Sequence, residues 1–233
     1  MTRLALVTVL LVGCASQKHI QRTEADGDRL RLDLAETYVQ KKAYVAAIPL
    51  LRRAVVEMPD DPHVRTLYGT VLREQGLYPQ SEKELREALR LAAASAEAHA
   101  ALGVLYDLMR RPVDAEREHR AALELAPRNA SIWNNLGFCL YLAGRTDEAI
   151  VTLEKALALD PGLIVAYNNL GFAYGRSGRL GDAERSFRTA GGELAVLVNM
   201  AIIHDEHGDA ETASRLRAEA KTKQPRLELE VPQ

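Results

Sequence analysis

Pairs of a large and a small residue recur every 34 positions along most of this 233-residue chain. The register holds across five successive units, whose pairs are Leu34-Ala35, Tyr68-Gly69, Leu102-Gly103, Leu136-Gly137 and Leu170-Gly171. A period of this length accommodates one helical hairpin, which cannot bury its apolar face alone and stacks on a neighbour. The repeat therefore predicts an array of helical hairpins rather than a fold around one central core.

The composition agrees with an all-α fold. Hydrophobic residues make up 47% of the chain but aromatic residues only 5%, and Ala, Leu, Arg and Glu dominate, as is typical of packed helices. The 30 Lys and Arg residues are scattered and are balanced by 32 Asp and Glu residues. No strongly cationic surface is expected, so the chain is predicted not to bind nucleic acid.

The residues around each pair resemble the tetratricopeptide repeat. The unit over 130–163 fills all eight signature positions of that family, with Trp133, Leu136, Gly137, Leu140, Ala149, Leu153, Ala156 and Pro161. Small residues at three of these positions let two helices cross closely, and the proline ends the second helix. The resemblance implies an all-α, right-handed superhelix of about six helical hairpins.

The register divides the folded part into six predicted repeats. The fifth is shortened through Gly191 and Gly192, and the sixth has Arg217 at a position that is usually apolar, so we expect it to cap the array. The predicted ranges are 28–61, 62–95, 96–129, 130–163, 164–193 and 194–227, followed by a tail over 228–233.

The N-terminus has the three-part pattern of a secretory signal. Arg3 precedes an apolar run that is too short to span a membrane, and the residues up to Cys14, Leu11-Val12-Gly13-Cys14, resemble the bacterial lipobox. The resemblance implies a signal peptide over 1–13 and a lipid on Cys14, followed by a polar spacer over 14–27. We therefore expect a lipid-anchored envelope protein, which in a Gram-negative cell would lie at the outer membrane and face the periplasm.

In tetratricopeptide proteins the first helices of the hairpins line a concave groove that binds an extended peptide or a partner helix. The matching positions of the central repeats carry amides, aromatic rings and a guanidinium group: Asn134, Asn135, Phe138, Tyr141, Asn168, Asn169, Phe172 and Arg176. Amides can pair with the backbone of a ligand, and exposed rings provide anchors. The family's clamp for a C-terminal carboxylate needs Lys and Arg at three particular groove positions, which here hold Ser131, Asn134, Phe138, Val165, Asn168 and Phe172, so a carboxylate clamp is disfavoured.

No catalytic residue, metal site or cofactor is expected. His204 and His207 are one helical turn apart, but they occupy a core position and a helix end rather than a pattern of metal ligands. Cys139 is expected to be a buried thiol. His99 and His119 replace large apolar residues, which predicts either a polar defect or a pH-sensitive spot in one interior.

A lipoprotein built only of such repeats resembles the assembly factors of bacterial pilus and secretion machines. The resemblance is to the Tad/Flp-type pilus assembly lipoproteins of the TadD kind, partly through the break at Ala190-Gly191-Gly192-Glu193. It implies a non-catalytic scaffold whose groove binds a secretin or another envelope subunit. Two alternatives stay open, a type IV pilus pilotin and an adaptor for cell-wall hydrolases or proteases, and a homodimer is compatible with all three.

Overall fold

A computed structural model describes Gly27 and residues 29–223, and throughout that part of the chain the regular secondary structure is α-helical, which confirms the predicted fold class. The helices are α1 (29–40), α2 (Tyr44–Glu57), α3 (Pro62–Glu74), α4 (Tyr78–Leu91), α5 (Ala96–Leu108), α6 (Pro112–Leu125), α7 (Ala130–Leu142), α8 (Thr146–Leu159), α9 (Ile164–Arg176), α10 (Leu180–Glu206) and α11 (Ala210–Lys223). None of the helices between residues 29 and 223 is both long and apolar enough to cross a membrane.

Two compact units divide the chain, one that ends at Ala101 and one that begins at Leu102. In the first unit, α1 to α4 form two hairpins. A core cluster of four fully buried residues joins α1, α2 and α3, namely Ala35, Ala47, Leu51 and Val71. The two alanines let the helix backbones approach closely, and larger side chains, such as those of Tyr38 and Leu67, fill the space around them.

Three chemically different residues fill one repeat position at the start of a first helix. Arg65, His99 and Trp133 are 34 residues apart, and each donates a side-chain N–H to the backbone carbonyl of the residue six positions earlier, at 2.8, 3.2 and 2.9 Å. The shared hydrogen bond ties the first turn of each helix to the loop before it. It explains why Arg65 and His99 can replace the aromatic residue of the family pattern, and it leaves His99 only partly buried.

In the second unit, α7 packs against α8 and α9, and α9 packs against α10. Glycines mark the closest approaches between the paired helices. A Cβ atom added at Gly137 would lie 2.6 Å from Cγ of Leu153, and one added at Gly171 would lie 2.4 Å from the ring of Phe187. These glycines therefore set the spacing of the hairpins that support the first-helix face.

The helix α10 consists of two helical segments joined by a kink at Gly191 and Gly192, the predicted site of the register break. Gly192 has φ 68° and ψ −158°, a conformation that is essentially restricted to glycine. The segment before the kink packs with α9, and the segment after it forms a hairpin with α11.

The tight turns between paired helices place one residue in the left-handed conformation. Glycine fills this position in several hairpins, but Lys42 and Arg110 fill it in the first and third, both with φ 56°. A side chain in this conformation costs about 1 kcal/mol relative to glycine. The turn at Arg110 is therefore strained relative to the turns that carry glycine.

Candidate binding groove

A groove of about 770 Å³ opens in the second unit between α5, α7 and α9. It is lined by the C-terminal half of α5, the turn that follows, and the exposed faces of α7 and α9, through Val104, Asp107, Leu108, Arg110, Pro112, Asn134, Asn135, Phe138, Leu142, Val165 and Asn169. Because α5, α7 and α9 are the first helices of consecutive hairpins, the groove has the location that the tetratricopeptide resemblance implies.

The apolar part of the groove lining is open to solvent. Leu108, Leu142 and Val165 are each about half exposed, at 51%, 50% and 50%, and Phe138 is 37% exposed. A contiguous exposed apolar surface with polar groups at its edge is typical of an interaction site. Phe138 can serve as an anchor, because a ring buries a large area at low cost in conformational entropy.

The asparagine amides that were expected to face a ligand also bond to one another. Asn169 donates from Nδ2 to Oδ1 of Asn134 at 2.9 Å, which joins α9 to α7. Asn199 donates from Nδ2 to Oδ1 of Asn168, also at 2.9 Å, which joins the second segment of α10 to α9. The amides therefore brace neighbouring first helices, and only part of their hydrogen-bonding capacity is left for a partner.

Two of the three predicted aromatic anchors pack within the unit instead of lining the groove. Tyr141 is only 8% exposed, because Arg176 lies 3.8 Å above its ring and donates to both its hydroxyl and its backbone carbonyl at 2.8 Å. Burial raises the pKa of the Tyr141 phenol, although the nearby guanidinium opposes the shift. Phe172 meets Phe187 edge to face, with ring centroids 5.0 Å apart. Of the predicted rings, Phe138 lines the groove.

A polar cluster lies behind the groove lining. His119 is fully buried, and its Nε2 lies 2.8 Å from Oδ2 of Asp107, which lines the groove. Its Nδ1 is buried and has no hydrogen-bond partner among the described residues. Cys139 is 1% exposed, as predicted. Burial, together with the charge of Asp107, raises the pKa of the Cys139 thiol, so the thiol is protonated at neutral pH.

Several groove residues were missed in the sequence although a signal for them existed. The positional rule that selected Asn134 and Phe138 in the fourth repeat selects Val104, Asp107 and Leu108 when it is applied one repeat earlier. The same rule also selects Leu142 and Val165. Arg110 and Pro112 carried no such signal, because Arg110 belongs to a hairpin turn and Pro112 begins the second helix of the hairpin.

The sequence analysis also singled out Cys14, His204 and His207. Cys14, the proposed lipid attachment site, lies outside the described residues. His204 bonds through Nδ1 to Oδ2 of Asp209 at 3.1 Å, and His207 caps the end of α10 with its backbone.

Two sequence models described as Tetratricopeptide repeat match the chain, one over residues 38–105 and one over 128–190, and together they match more than half of its length. The chain belongs to the tetratricopeptide-repeat family. Tetratricopeptide proteins are generally non-catalytic and bind protein partners. No protein of curated function matches the sequence.

Solved tetratricopeptide structures of similar length resemble the chain. PilW, described as a widely conserved type IV pilus biogenesis factor, has a TM-score of 0.73 at 22% identity, over 86% of this chain and 95% of PilW. PilF of Pseudomonas aeruginosa has a TM-score of 0.67 at 17% identity, over 84% and 90%. A thermophilic tetratricopeptide protein of Thermus thermophilus has a TM-score of 0.66 at 20% identity, over 84% and 97%. At these identities the similarity shows the fold.

Proposed function

We propose that the tetratricopeptide chain is a non-catalytic scaffold that holds an apolar segment of another cell-envelope protein in the groove. The observation that carries the proposal is the exposed apolar lining of Leu108, Phe138, Leu142 and Val165, which amides border. An apolar partner segment, extended or helical, would bury this lining. The amides at the edge of the groove would pair with the backbone of the partner segment.

The proposed partner is a subunit of a pilus or secretion machine, with a secretin as the first candidate. The type IV pilus form of this role, a pilotin that helps a secretin to assemble, is supported by the similarity to PilW and PilF, which extends over nearly the full length of both. The second candidate role is assembly of a Tad/Flp-type pilus, and it is supported by the break at Gly191 and Gly192.

Membrane attachment through Cys14 is the other part of the proposal. It is supported by the lipobox-like sequence Leu11-Val12-Gly13-Cys14 and by the polar residues that separate this cysteine from α1. Two or more acyl chains would hold the protein stably at a membrane surface. The proposed location is the outer membrane, with the repeats in the periplasm.

The groove can be tested by site-specific photocrosslinking in the producing cell. A photoreactive residue at Leu142 should crosslink to the secretin, whereas one at Val56, an apolar and even more exposed position on α2, should not. The double variant Phe138→Ala with Leu142→Ala should weaken binding of the purified secretin at least tenfold, which corresponds to about 1.4 kcal/mol. The thermal midpoint should fall only modestly, because Leu142 is half exposed and Phe138 is more than a third exposed.

The matched control is Val56→Ala, which removes a similar apolar group from another surface. Unchanged secretin binding by the double groove variant would contradict the groove assignment. Crosslinks to murein hydrolases with no secretin or pilus subunit among the products would contradict the pilus role and leave the groove assignment in place.

A further inference from the structure

We infer that Asp107, His119 and Cys139 form a binding site for one divalent transition-metal ion of the Zn²⁺ class. The three side chains come from α5, α6 and α7, and each offers one ligand atom within 4.8 Å of the other two. Ligand atoms of a tetrahedral zinc site are about 3.3–3.8 Å apart, given the usual bond lengths. A contraction of roughly 1 Å at the widest pair would therefore complete the geometry.

The chemical types of the three ligands select the class of metal. A carboxylate oxygen, an imidazole nitrogen and a thiolate sulfur together suit Zn²⁺ or Co²⁺, whereas Mg²⁺ and Ca²⁺ require oxygen ligands. The charges also match, because one carboxylate and one thiolate neutralise a divalent ion. A buried site with no net charge avoids the cost of an unpaired charge in the interior.

A comparison among the repeats shows how unusual the cluster is within this chain. His119 occupies the position that Leu51, Leu85, Leu153 and Phe187 fill in other repeats, where the side chain packs against the small residue of the first helix. A leucine would satisfy that packing, whereas the histidine leaves Nδ1 buried without a partner among the described residues. Packing alone therefore gives no reason for a histidine here, whereas a ring nitrogen, Nε2, that faces Asp107 suits a ligand role.

The cluster has an entry path and an open coordination position. His119 and Cys139 are buried, but Asp107 also lines the groove, so an ion can arrive from the groove side. Three protein ligands leave the fourth tetrahedral position to water or to a group of a bound partner. The imidazole ring packs directly against Gly103, where an added Cβ atom would lie 2.5 Å from Nδ1 of His119.

Metal binding at this site sets the protonation of two side chains. The Nε2 atom that now bonds to Asp107 must offer its lone pair to the ion, so the ring hydrogen must lie on Nδ1. Cys139 must lose its thiol proton to solvent, since the thiolate is the ligand. Each bound ion therefore releases one proton, and the affinity should rise about tenfold per pH unit while the free thiol is protonated.

The test is a titration of the full chain with Co²⁺, followed by displacement with Zn²⁺. A Cys14→Ser background leaves Cys139 as the single thiol. One equivalent of Co²⁺ should produce a thiolate-to-cobalt charge-transfer absorption that Zn²⁺ abolishes. Calorimetry in buffers of different ionisation enthalpy should report one proton released per ion.

Two variants distinguish ligand binding from a general effect on folding. Cys139→Ser should abolish the charge-transfer absorption, and His119→Leu, which installs the residue of the equivalent position in other repeats, should weaken Co²⁺ binding at least 100-fold while the helix content is kept. The control variant, His204→Gln with His207→Gln, should bind like the parent chain. Absence of the absorption in the parent chain, or its persistence in either ligand variant, would overturn the inference.

Discussion

Equivalent positions on successive first helices carry a hydrogen-bonded acid and histidine in the first unit and two apolar residues in the second. The acid and the histidine are Glu36 and His63, with Oε1 and Nε2 3.0 Å apart. The residues 102 positions later are Phe138 and Val165, and both line the groove. The repeat thus sets where side chains lie without setting their chemistry, so one unit can carry a pH-sensitive pair and the other a surface for a partner.

The largest expected effect on stability concerns the helix packing within the hairpins of the two units. Gly171→Ala should lower the free energy of unfolding by about 2 kcal/mol, because the new methyl group would overlap the rigid ring of Phe187, and the better helix propensity of alanine offsets only part of that cost. Gly69→Ala in the first unit should cost somewhat less, because its nearest overlap, with Cγ of Leu85, is at 2.7 Å instead of 2.4 Å. Urea denaturation followed by circular dichroism measures both.

The control for the glycine variants is Gly181→Ala, where an added Cβ would meet only the end of the Arg185 side chain at 3.8 Å. This variant should be neutral or slightly more stable. Equal effects of Gly171→Ala and Gly181→Ala on the free energy of unfolding would contradict a specific cost from the contact with Phe187.

An intermediate effect is expected from the amide pair Asn134–Asn169, which joins α7 to α9. A double-mutant cycle with Asn134→Ala and Asn169→Ala should give a coupling energy of about 1 kcal/mol, which is the net value of one hydrogen bond in a mostly buried setting. Thermal unfolding of the parent, the two single variants and the double variant supplies the cycle. Strict additivity would contradict a bracing role and would favour amides that face a partner only.

The smallest effect is the pH dependence of the stability that the Glu36–His63 pair contributes to the first unit. Partial burial lowers the pKa of His63, but the hydrogen bond to Glu36 and the charges of Glu97, Glu36 and Asp61 outweigh it and raise the pKa above 6.5. A raised pKa in the folded state means that the pair stabilises the fold fully below pH 6.5, and that this stabilisation is lost as the pH rises through the raised value. Because the pair is exposed, its contribution should stay below about 1 kcal/mol.

The measurement is the thermal midpoint of the parent chain minus that of His63→Gln, from pH 5.5 to pH 8. The difference should be largest at the acidic end. Val165→Ala, at the position of the second unit equivalent to His63, should show no such trend, because neither Val165 nor Phe138 titrates. A difference for His63→Gln that grows as the pH rises would contradict the ionic contact.

The helices and the groove positions were predictable because the repeat is periodic. A residue at a given place in a helical hairpin meets the same kind of neighbour in every unit, so the register places Asn134 and Phe138 on the first-helix face. Applied one repeat earlier, the same rule places Asp107 there as well. The burial of Tyr141 was not predictable, because it depends on Arg176 reaching back across one repeat.

The cluster of Asp107, His119 and Cys139 shows a second limit of sequence reasoning. Its members are 12 and 20 residues apart and lie on three helices, so they form no compact motif. His119 stands out as a polar residue at an apolar position, but its ligand-type neighbours can be recognised only after the helices are packed.

The sequence by itself determined the all-α hairpin architecture and the turns, because both follow from local helix geometry repeated every 34 residues, and the family resemblance implied which face carries the groove. The tertiary structure decided which of those face residues stay open to solvent and which are used within the fold. The Glu36–His63 pair and the groove residues Phe138 and Val165 have the same register, yet their side-chain partners and charge differ. Those properties depend on side chains from several helices at once, and a one-dimensional period does not encode them.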